Sequence, residues 1–98
     1  MPNPSYFEAI IQLRPADIKI LNLVRKQIKE RGAFISKEER LKTGIDIYMS
    51  DQRFARALGS KLRKKFGGEV KITRKLHTIS RKTGKRLYRV TVLFRLKE

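Results

Sequence analysis

The sequence predicts an α+β domain: a two-layer sandwich in which a four-stranded sheet carries two helices on one face. Three observations lead to this fold class. Some segments alternate apolar and polar residues as strands do, two others repeat apolar residues every three or four positions as helices do, and Gly or Pro residues separate them. The order is β-α-β-α-β-β, for which one covered and one open sheet face is the simplest arrangement.

The first strand and helix are predicted between residues 6 and 31. Every second residue of the strand is apolar: Phe7, Ala9, Ile11 and Leu13. Pro15 suits the first turn of the following helix, Asp17 complements its N-terminus, and Gly32 ends it. The buried face of this helix is expected to hold Ile20, Leu21, Val24 and Ile28.

The next segment predicts a turn and then the second strand. Phe34 and Ile35 are expected to be buried, whereas residues 36–42 are polar and predict a turn. Gly44 opens the strand. Its inward residues are Ile45, Ile47 and Met49, and its outward residues are Asp46 and Tyr48.

The second helix and a β-hairpin complete the chain. Ser50 or Asp51 caps the helix, and Gly67 and Gly68 end it. Its apolar face holds Phe54, Leu58 and Leu62, with Ala55 and Gly59 permitting close packing. The hairpin turns near Gly84, and its arm is expected to project. One side of it is apolar: Val70, Ile72, Leu76, Tyr88, Val90, Val92, Phe94 and Leu96.

The composition is strongly basic. The 98 residues include 25 Lys and Arg against 9 Asp and Glu, a formal net charge of +16. Residues 1–50 hold nine basic and six acidic residues, a net of +3, whereas residues 51–98 hold sixteen and three, a net of +13. Such a surplus repels itself in a compact chain and is typical of proteins with a polyanionic partner, above all nucleic acid. No helix pairs a basic face with a Trp- or Phe-rich one, so a membrane partner is not expected.

Several classes of function are excluded by what the sequence lacks. Without cysteine there are no disulfides, zinc–thiolate sites or thiol catalysis. No apolar run approaches the roughly 20 residues of a membrane span, and the first residues do not resemble a signal peptide. No Gly-rich phosphate loop is present. The length fits one domain, residues 1–98. We therefore expect a cytoplasmic protein that is not an enzyme and uses no cofactor or small-molecule substrate.

Three basic clusters are the predicted nucleic-acid-binding residues. The first is a stripe on the second helix, with no Asp or Glu among residues 52–68: Arg53, Arg56, Arg63 and Lys64, with Ser60 between them. The second lies at the end of that helix: Lys61, Lys64 and Lys65. The third is the hairpin: Arg74, Lys75, Arg81, Lys82, Lys85 and Arg86, with His77 as a further candidate.

The expected mode of binding is contact with phosphates and with the shape of structured RNA or duplex. Proteins that bind single strands stack bases on exposed aromatic side chains. Here Tyr88 and Phe94 fall on the apolar side of the hairpin, and only Tyr6 and Tyr48 face outward on the sheet. If the protein contacts about 6–10 phosphates, its affinity for the nucleic acid should fall roughly 10³- to 10⁵-fold when the salt concentration rises from low to moderate.

The order and spacing of several motifs resemble one family, over about residues 6–96. These motifs are Tyr6-Phe7-Glu8-Ala9-Ile10-Ile11-Gln12-Leu13-Arg14, Gly44-Ile45-Asp46-Ile47-Tyr48, Phe54-Ala55-Arg56 with Leu58 and Leu62, and Lys75-Leu76 followed by Gly84-Lys85-Arg86-Leu87-Tyr88-Arg89-Val90. They resemble the middle segment of the large-subunit export adaptor family that is named for nonsense-mediated decay, in its archaeal form.

The resemblance implies a ribosomal-protein-like α/β domain that sits against ribosomal RNA. The expected partners are therefore ribosomal RNA and large-subunit proteins, with the protein a structural component or an assembly factor. Family members also carry paired-cysteine zinc modules before this segment and a small barrel after it, and eukaryotic members add an export signal. Export and zinc-dependent functions belong to those parts and not to the resembling segment, so they are not carried over. Met1 and the high charge favour a free-standing ribosomal protein over an excised domain.

Two alternative functions remain at this point. The β-α-β-α-β-β order with a basic hairpin also resembles the archaeal Alba family of architectural chromatin proteins, which bind duplex nucleic acid. That family has a Gly-Lys-Lys-rich first loop, which residues 13–17 do not match. The other alternative is an RNA-processing enzyme that uses Glu8, Asp46 or His77. The two carboxylates are expected instead to pair with nearby Lys or Arg side chains.

Overall fold

Five strands and two helices make up the computed structural model of the protein, which describes residues 7–79, 84 and 86–96, with only the backbone of residues 77–79 and 86–87. The elements, in chain order, are β1 (Ala9–Arg14), α1 (Ile18–Arg31), β2 (Ile35–Leu41), β3 (Gly44–Met49), α2 (Gln52–Phe66), β4 (Glu69–Ile79) and β5 (Arg86–Arg95). The strands form one sheet in the spatial order β2-β3-β1-β5-β4. The predicted α+β class is confirmed.

The predicted strand number and element order are wrong, because residues 35–41 form β2 where a polar turn was expected. The sheet therefore has five strands, and the order is β-α-β-β-α-β-β. β2 pairs with β3 alone and lies at an edge of the sheet. An edge strand keeps many of its side chains in water, so its sequence need not alternate between apolar and polar residues.

The core forms on one face of the sheet. β1 pairs antiparallel with β3 and parallel with β5, which aligns three rows of buried side chains across the centre: Met49–Ala9–Val90, Ile47–Ile11–Val92 and Ile45–Leu13–Phe94. The predicted inner residues of α1, Ile20, Leu21, Val24 and Ile28, join the same cluster, as do Leu58 and Leu62 of α2. Both helices thus cover this face, which we call the helix face; the other is the open face.

An aspartate caps the N-terminus of each helix, but Pro15 precedes α1 instead of lying in its first turn, because the helix begins only at Ile18. The carboxylate of Asp17 accepts the backbone N–H of Lys19 at 2.8 Å, and that of Asp51 accepts the N–H of Phe54 at 3.0 Å. Asp51, rather than Ser50, is therefore the cap of α2. Gly32 ends α1 with a φ of 84°, a conformation that glycine adopts without strain.

Gly59 seats α2 closely on the sheet. A Cβ atom at this position would lie 2.7 Å from Cγ1 of Val92 and 3.3 Å from Cγ1 of Val70. Only glycine therefore allows the present separation between α2 and the paired strands β4 and β5. This close approach brings the outer residues of α2 beside the edge strand β4.

The hairpin extends past the helices. β4 has 11 residues and spans about 36 Å, the largest extent of any strand. On its helix face, Ile72 is 44% exposed and Leu76 is 51% exposed, because neither helix covers them. The predicted apolar side of the hairpin is thus buried near its base and open to solvent farther out.

Phe7 lies on the opposite side of the sheet from the one predicted. The chain bends at Glu8, and the carboxylate of Glu8 accepts the backbone N–H of Gln52 at the start of α2. The ring of Phe7 instead contacts that of Tyr48, edge to face, with 4.9 Å between the centroids. Tyr48 alternates with buried Ile47 and Met49, so both rings lie on the open face.

Candidate nucleic-acid interface

The outer face of α2 carries the predicted basic stripe. Because Ala55, Leu58, Gly59 and Leu62 are buried against the sheet, residues half a turn away point outward. Arg53, Arg63 and Lys64 are exposed, and Arg56 is half-buried. The structure therefore places these four cations on the side of α2 that faces away from the sheet.

A groove joins the α2 stripe to the edge strand β4. It has a volume of about 460 Å³ and is lined by Ser60, Arg63, Lys64, Val70 and Ile72. Its floor is apolar, while two cations and a hydroxyl form its helical wall. Cations beside a shallow apolar groove suit a polyanion that carries flat apolar groups, as nucleic acid does.

The second predicted cluster, at the end of α2, does not form one surface with the stripe. Lys61 lies on the flank that faces α1, where its ammonium group donates to Oε1 of Gln27 at 3.1 Å. Lys65 is exposed, and its Nζ atom lies 5.8 Å from the centroid of the Phe66 ring. Lys64 alone belongs both to this cluster and to the stripe.

The hairpin cations point to both faces of the sheet. Arg74 is exposed on the helix face, and its guanidinium lies 4.6 Å from the centroid of the Tyr88 ring, a cation–π contact that orients it. Lys71 and Lys75 are exposed on the open face. Positive charge therefore continues around the β4 edge from one face to the other.

The rest of the predicted hairpin cluster is only partly described. His77 lies in β4 and Arg86 lies in β5, where Ile79 pairs with Arg86, but their side chains lie outside the description. Arg81, Lys82 and Lys85 lie outside the described residues. The prediction that these five side chains bind nucleic acid stays a prediction.

Sequence reasoning did not select Arg89, which lies directly opposite Lys75 across the β4–β5 pair. Both side chains point to the open face, and like charges at paired positions repel each other. The guanidinium of Arg89 lies 4.0 Å from the centroid of Phe7. The signal was available, because Arg89 alternates with the apolar residues Tyr88 and Val90, but one cation within a strand is not conspicuous.

The acidic side chains are matched mainly by cations of the first half of the chain. The ion pairs of the described residues include Arg14–Asp46, Arg25–Glu38, Lys26–Glu30, Arg31–Asp51 and Lys37–Glu39. Each of these named pairs uses a cation that precedes Asp51. The charge of +13 that follows Ser50 is thus offset little by the acidic residues of the first half.

Two of these pairs have structural consequences. Asp46 is 8% exposed, and its carboxylate accepts from the Arg14 guanidinium at 2.7 Å. The Glu38 carboxylate accepts two hydrogen bonds from Arg25, which lowers the pKa of Glu38 and raises that of Arg25. Partial burial opposes both shifts.

Glu8 and Asp46, two of the three residues proposed for an RNA-processing enzyme, are not brought together. The carboxylate of Glu8 contacts the start of α2, and the backbone N–H of Glu8 donates to the carbonyl of Met49. Asp46 lies three residues before Met49 on β3, a distance of about 10 Å along the strand. Asp46 pairs with Arg14, as expected for a structural carboxylate. Among the described residues, no group of three or more His, Cys, Asp and Glu side chains is placed to hold a metal ion.

The fold and its charge define a class: a small, basic α+β domain whose cations follow one helix and one strand edge. The family is identified by comparison. The chain belongs to the NMD3 family, since the family model described as NMD3, second domain, matches residues 6–96. The family resemblance expected from the sequence is therefore confirmed.

The NMD3 family is linked to the large ribosomal subunit, and the match is consistent with a ribosome-related role for the chain. No curated protein matches the sequence. None of the helices in the described part of the chain has the length and apolar character that a membrane crossing requires.

Proposed function

We propose that the protein binds ribosomal RNA of the large subunit, mainly through phosphates, and that it acts without catalysis, cofactor or small-molecule substrate. The observation that carries the proposal is the α2 stripe together with the groove beside β4. Arg63 and Lys64 form one wall of this groove, and Arg74 extends the basic surface along the hairpin. The family match supports the choice of the ribosome as the partner.

The proposed binding mode is electrostatic and depends on geometry more than on base sequence. A cation that replaces a condensed counterion on a phosphate makes the affinity depend on salt concentration. The exposed cations of α2 and β4 lie along a helix and a strand, so they match a run of phosphates better than a single base edge. We propose the cytoplasmic large subunit, either mature or in assembly, as the place of action.

The chromatin alternative loses one of its two grounds. It rested on a basic hairpin and on the element order β-α-β-α-β-β, and that order differs from the order in the structure. The enzymatic alternative is not supported by its two carboxylates, since Glu8 and Asp46 lie apart and have different contacts. We therefore keep the single proposal of ribosomal RNA binding.

The test is a salt titration of binding to large-subunit ribosomal RNA fragments. The Arg63→Gln and Lys64→Gln variants should each weaken binding and reduce the slope of log K against log salt concentration by about 1. The matched control is Lys26→Gln, which removes an exposed cation of α1 and should leave the slope unchanged. The proposed interface would be refuted if the wild type and the three variants gave equal slopes of log K against log salt concentration, or if binding did not depend on salt.

A second measurement tests the partner. The purified protein, added to native large subunits, should co-sediment with them at low salt, and the Arg63→Gln/Lys64→Gln double variant should be released at a lower salt concentration. Equal recovery with the small and large subunits would contradict the large-subunit assignment. Retention on high-salt-washed subunits would indicate a permanent component, and release would indicate an assembly factor.

A further inference from the structure

The open face carries a cluster of aromatic rings and cations that the phosphate-binding proposal does not use. Its members are Phe7, Lys37, Tyr48 and Arg89, and we call it the open-face cluster. The Phe7 and Tyr48 rings are in contact, the guanidinium of Arg89 covers Phe7, and Nζ of Lys37 lies 5.4 Å from the Tyr48 centroid. The cluster thus crosses the sheet from β5 to β2.

We propose that the open-face cluster binds an unpaired RNA base by stacking. The inference goes beyond the proposed function in naming a second site and a second mode of contact, and it rests on that function only for RNA as the partner. Bases that are not paired stack on aromatic rings and on guanidinium planes, and such stacking tolerates any base sequence.

Arg89 is the centre of the argument. A guanidinium is flat, and the contact of 4.0 Å with the Phe7 centroid uses one of its two faces. The Arg89 side chain is half-buried, and we assign a base to the face that Phe7 does not cover. In the described structure, Nε of Arg89 is buried and has no hydrogen-bond partner, so part of the donor capacity of this group is unmet. The ring of Phe7, not a hydrogen-bonded acid, holds the side chain in place.

Lys75 supplies the second observation that points to an anionic ligand. It pairs directly with Arg89 across the β4–β5 ladder, so that two positive side chains stand side by side on the open face. Such a pair is unfavourable unless an anion lies between the two charges. A nucleotide satisfies both groups at once, with its base on the guanidinium and its phosphate near Lys75.

The positions of the two sites define a path for the RNA. The α2 stripe lies on the helix face and the open-face cluster lies on the opposite face. The exposed cations Lys71, Arg74 and Lys75 connect the faces around the β4 edge. A flexible single strand follows such an edge more easily than a rigid duplex does. We therefore assign the duplex or structured part of the RNA to α2 and an adjoining unpaired nucleotide to Arg89.

The decisive experiment combines a protein variant with removal of bases from the RNA. Arg89→Lys keeps the charge and removes the flat group, and Arg95→Lys is the matched control at an exposed position of the same strand. The probes are a fluorescent oligouridylate and the same backbone with abasic nucleotides. The wild type and Arg95→Lys should bind the abasic strand about 5- to 150-fold more weakly, the range for loss of one stacked base. For Arg89→Lys this penalty should disappear.

Two outcomes overturn the inference and leave the phosphate-binding proposal intact. In the first, the wild type and Arg89→Lys lose the same affinity when the bases are removed from the RNA. In the second, neither protein loses affinity on removal of the bases, and the dependence of binding on salt concentration is unchanged. Failure of the proposed function gives a different result, namely weak binding of every RNA without salt dependence.

A second variant keeps the test independent of the folding of Arg89→Lys. The chain has no tryptophan, so Tyr48→Trp introduces a single tryptophan, whose fluorescence can be excited apart from that of the tyrosines, into the cluster. Oligouridylate should quench its fluorescence, whereas inorganic polyphosphate and the abasic strand should not. Equal quenching by all three probes, or by none of them, would refute stacking at this site.

Discussion

Replacement of Gly59 by alanine tests how α2 is seated. The added Cβ atom would lie 2.7 Å from Cγ1 of Val92, which is a fully buried, β-branched side chain with little freedom to rotate away. Overpacking of this kind costs about 1–3 kcal/mol. Alanine also favours the helix over glycine by about 1 kcal/mol. The net loss of unfolding free energy is thus about 1 kcal/mol, or a Tm lower by about 4–8 °C.

The assay is urea unfolding followed by circular dichroism, with the midpoint compared at constant slope. Ala57→Gly is the matched control, because position 57 is exposed on the same helix and should lose about 1 kcal/mol from helix propensity alone. In a double-mutant cycle, Gly59→Ala and Val92→Ala together should cost less than the sum of their separate losses, since Val92→Ala removes the methyl groups that the new Cβ atom meets. A Gly59→Ala variant more stable than the wild type would refute the close-packing argument.

Two further predictions concern ion pairs of the scaffold. Because the folded-state pKa of Glu38 is lowered, the Arg25–Glu38 pair stabilises the protein at neutral pH and its contribution is lost as the pH falls through that pKa. Glu38→Gln should therefore cost about 0.5 kcal/mol at pH 7 and nothing at pH 2, measured by urea unfolding; an equal cost at both pH values would contradict this. Asp46→Ala should cost about 3 kcal/mol at pH 7 by the same assay, because it leaves the Arg14 guanidinium partly buried without its carboxylate. A loss below about 1 kcal/mol would show that this pair is effectively solvated.

The sequence was sufficient for the elements whose burial is one-sided. The alternation of Ile45, Ile47 and Met49 predicted which residues of β3 are buried, and the spacing of Leu58 and Leu62 predicted the outward direction of the α2 cations. In both cases a single apolar face has to meet the core. The pattern of residues therefore determines the direction of every side chain between them.

Two features escaped prediction because nothing local determines them. β2 is a strand through its pairing with β3, and its polar residues leave no periodic trace at the edge of the sheet. Phe7 reaches the open face because the chain bends at Glu8, whose carboxylate contacts Gln52 at a separation of 44 residues. The first error altered the strand count, and the second concealed an aromatic ring beside Arg89.

The parallel pairing of β1 with β5 has a mechanical consequence. Because the two strands run side by side in the same direction, the chain enters β1 at one end of the sheet and leaves β5 at the other. Tension applied through residues 7 and 96 would load the ladder from Ala9–Val90 to Arg14–Arg95 in shear. Its hydrogen bonds must then break together instead of one after another. The domain therefore resists extension along the sheet, and forces that act through its two ends pass straight through the centre of the fold.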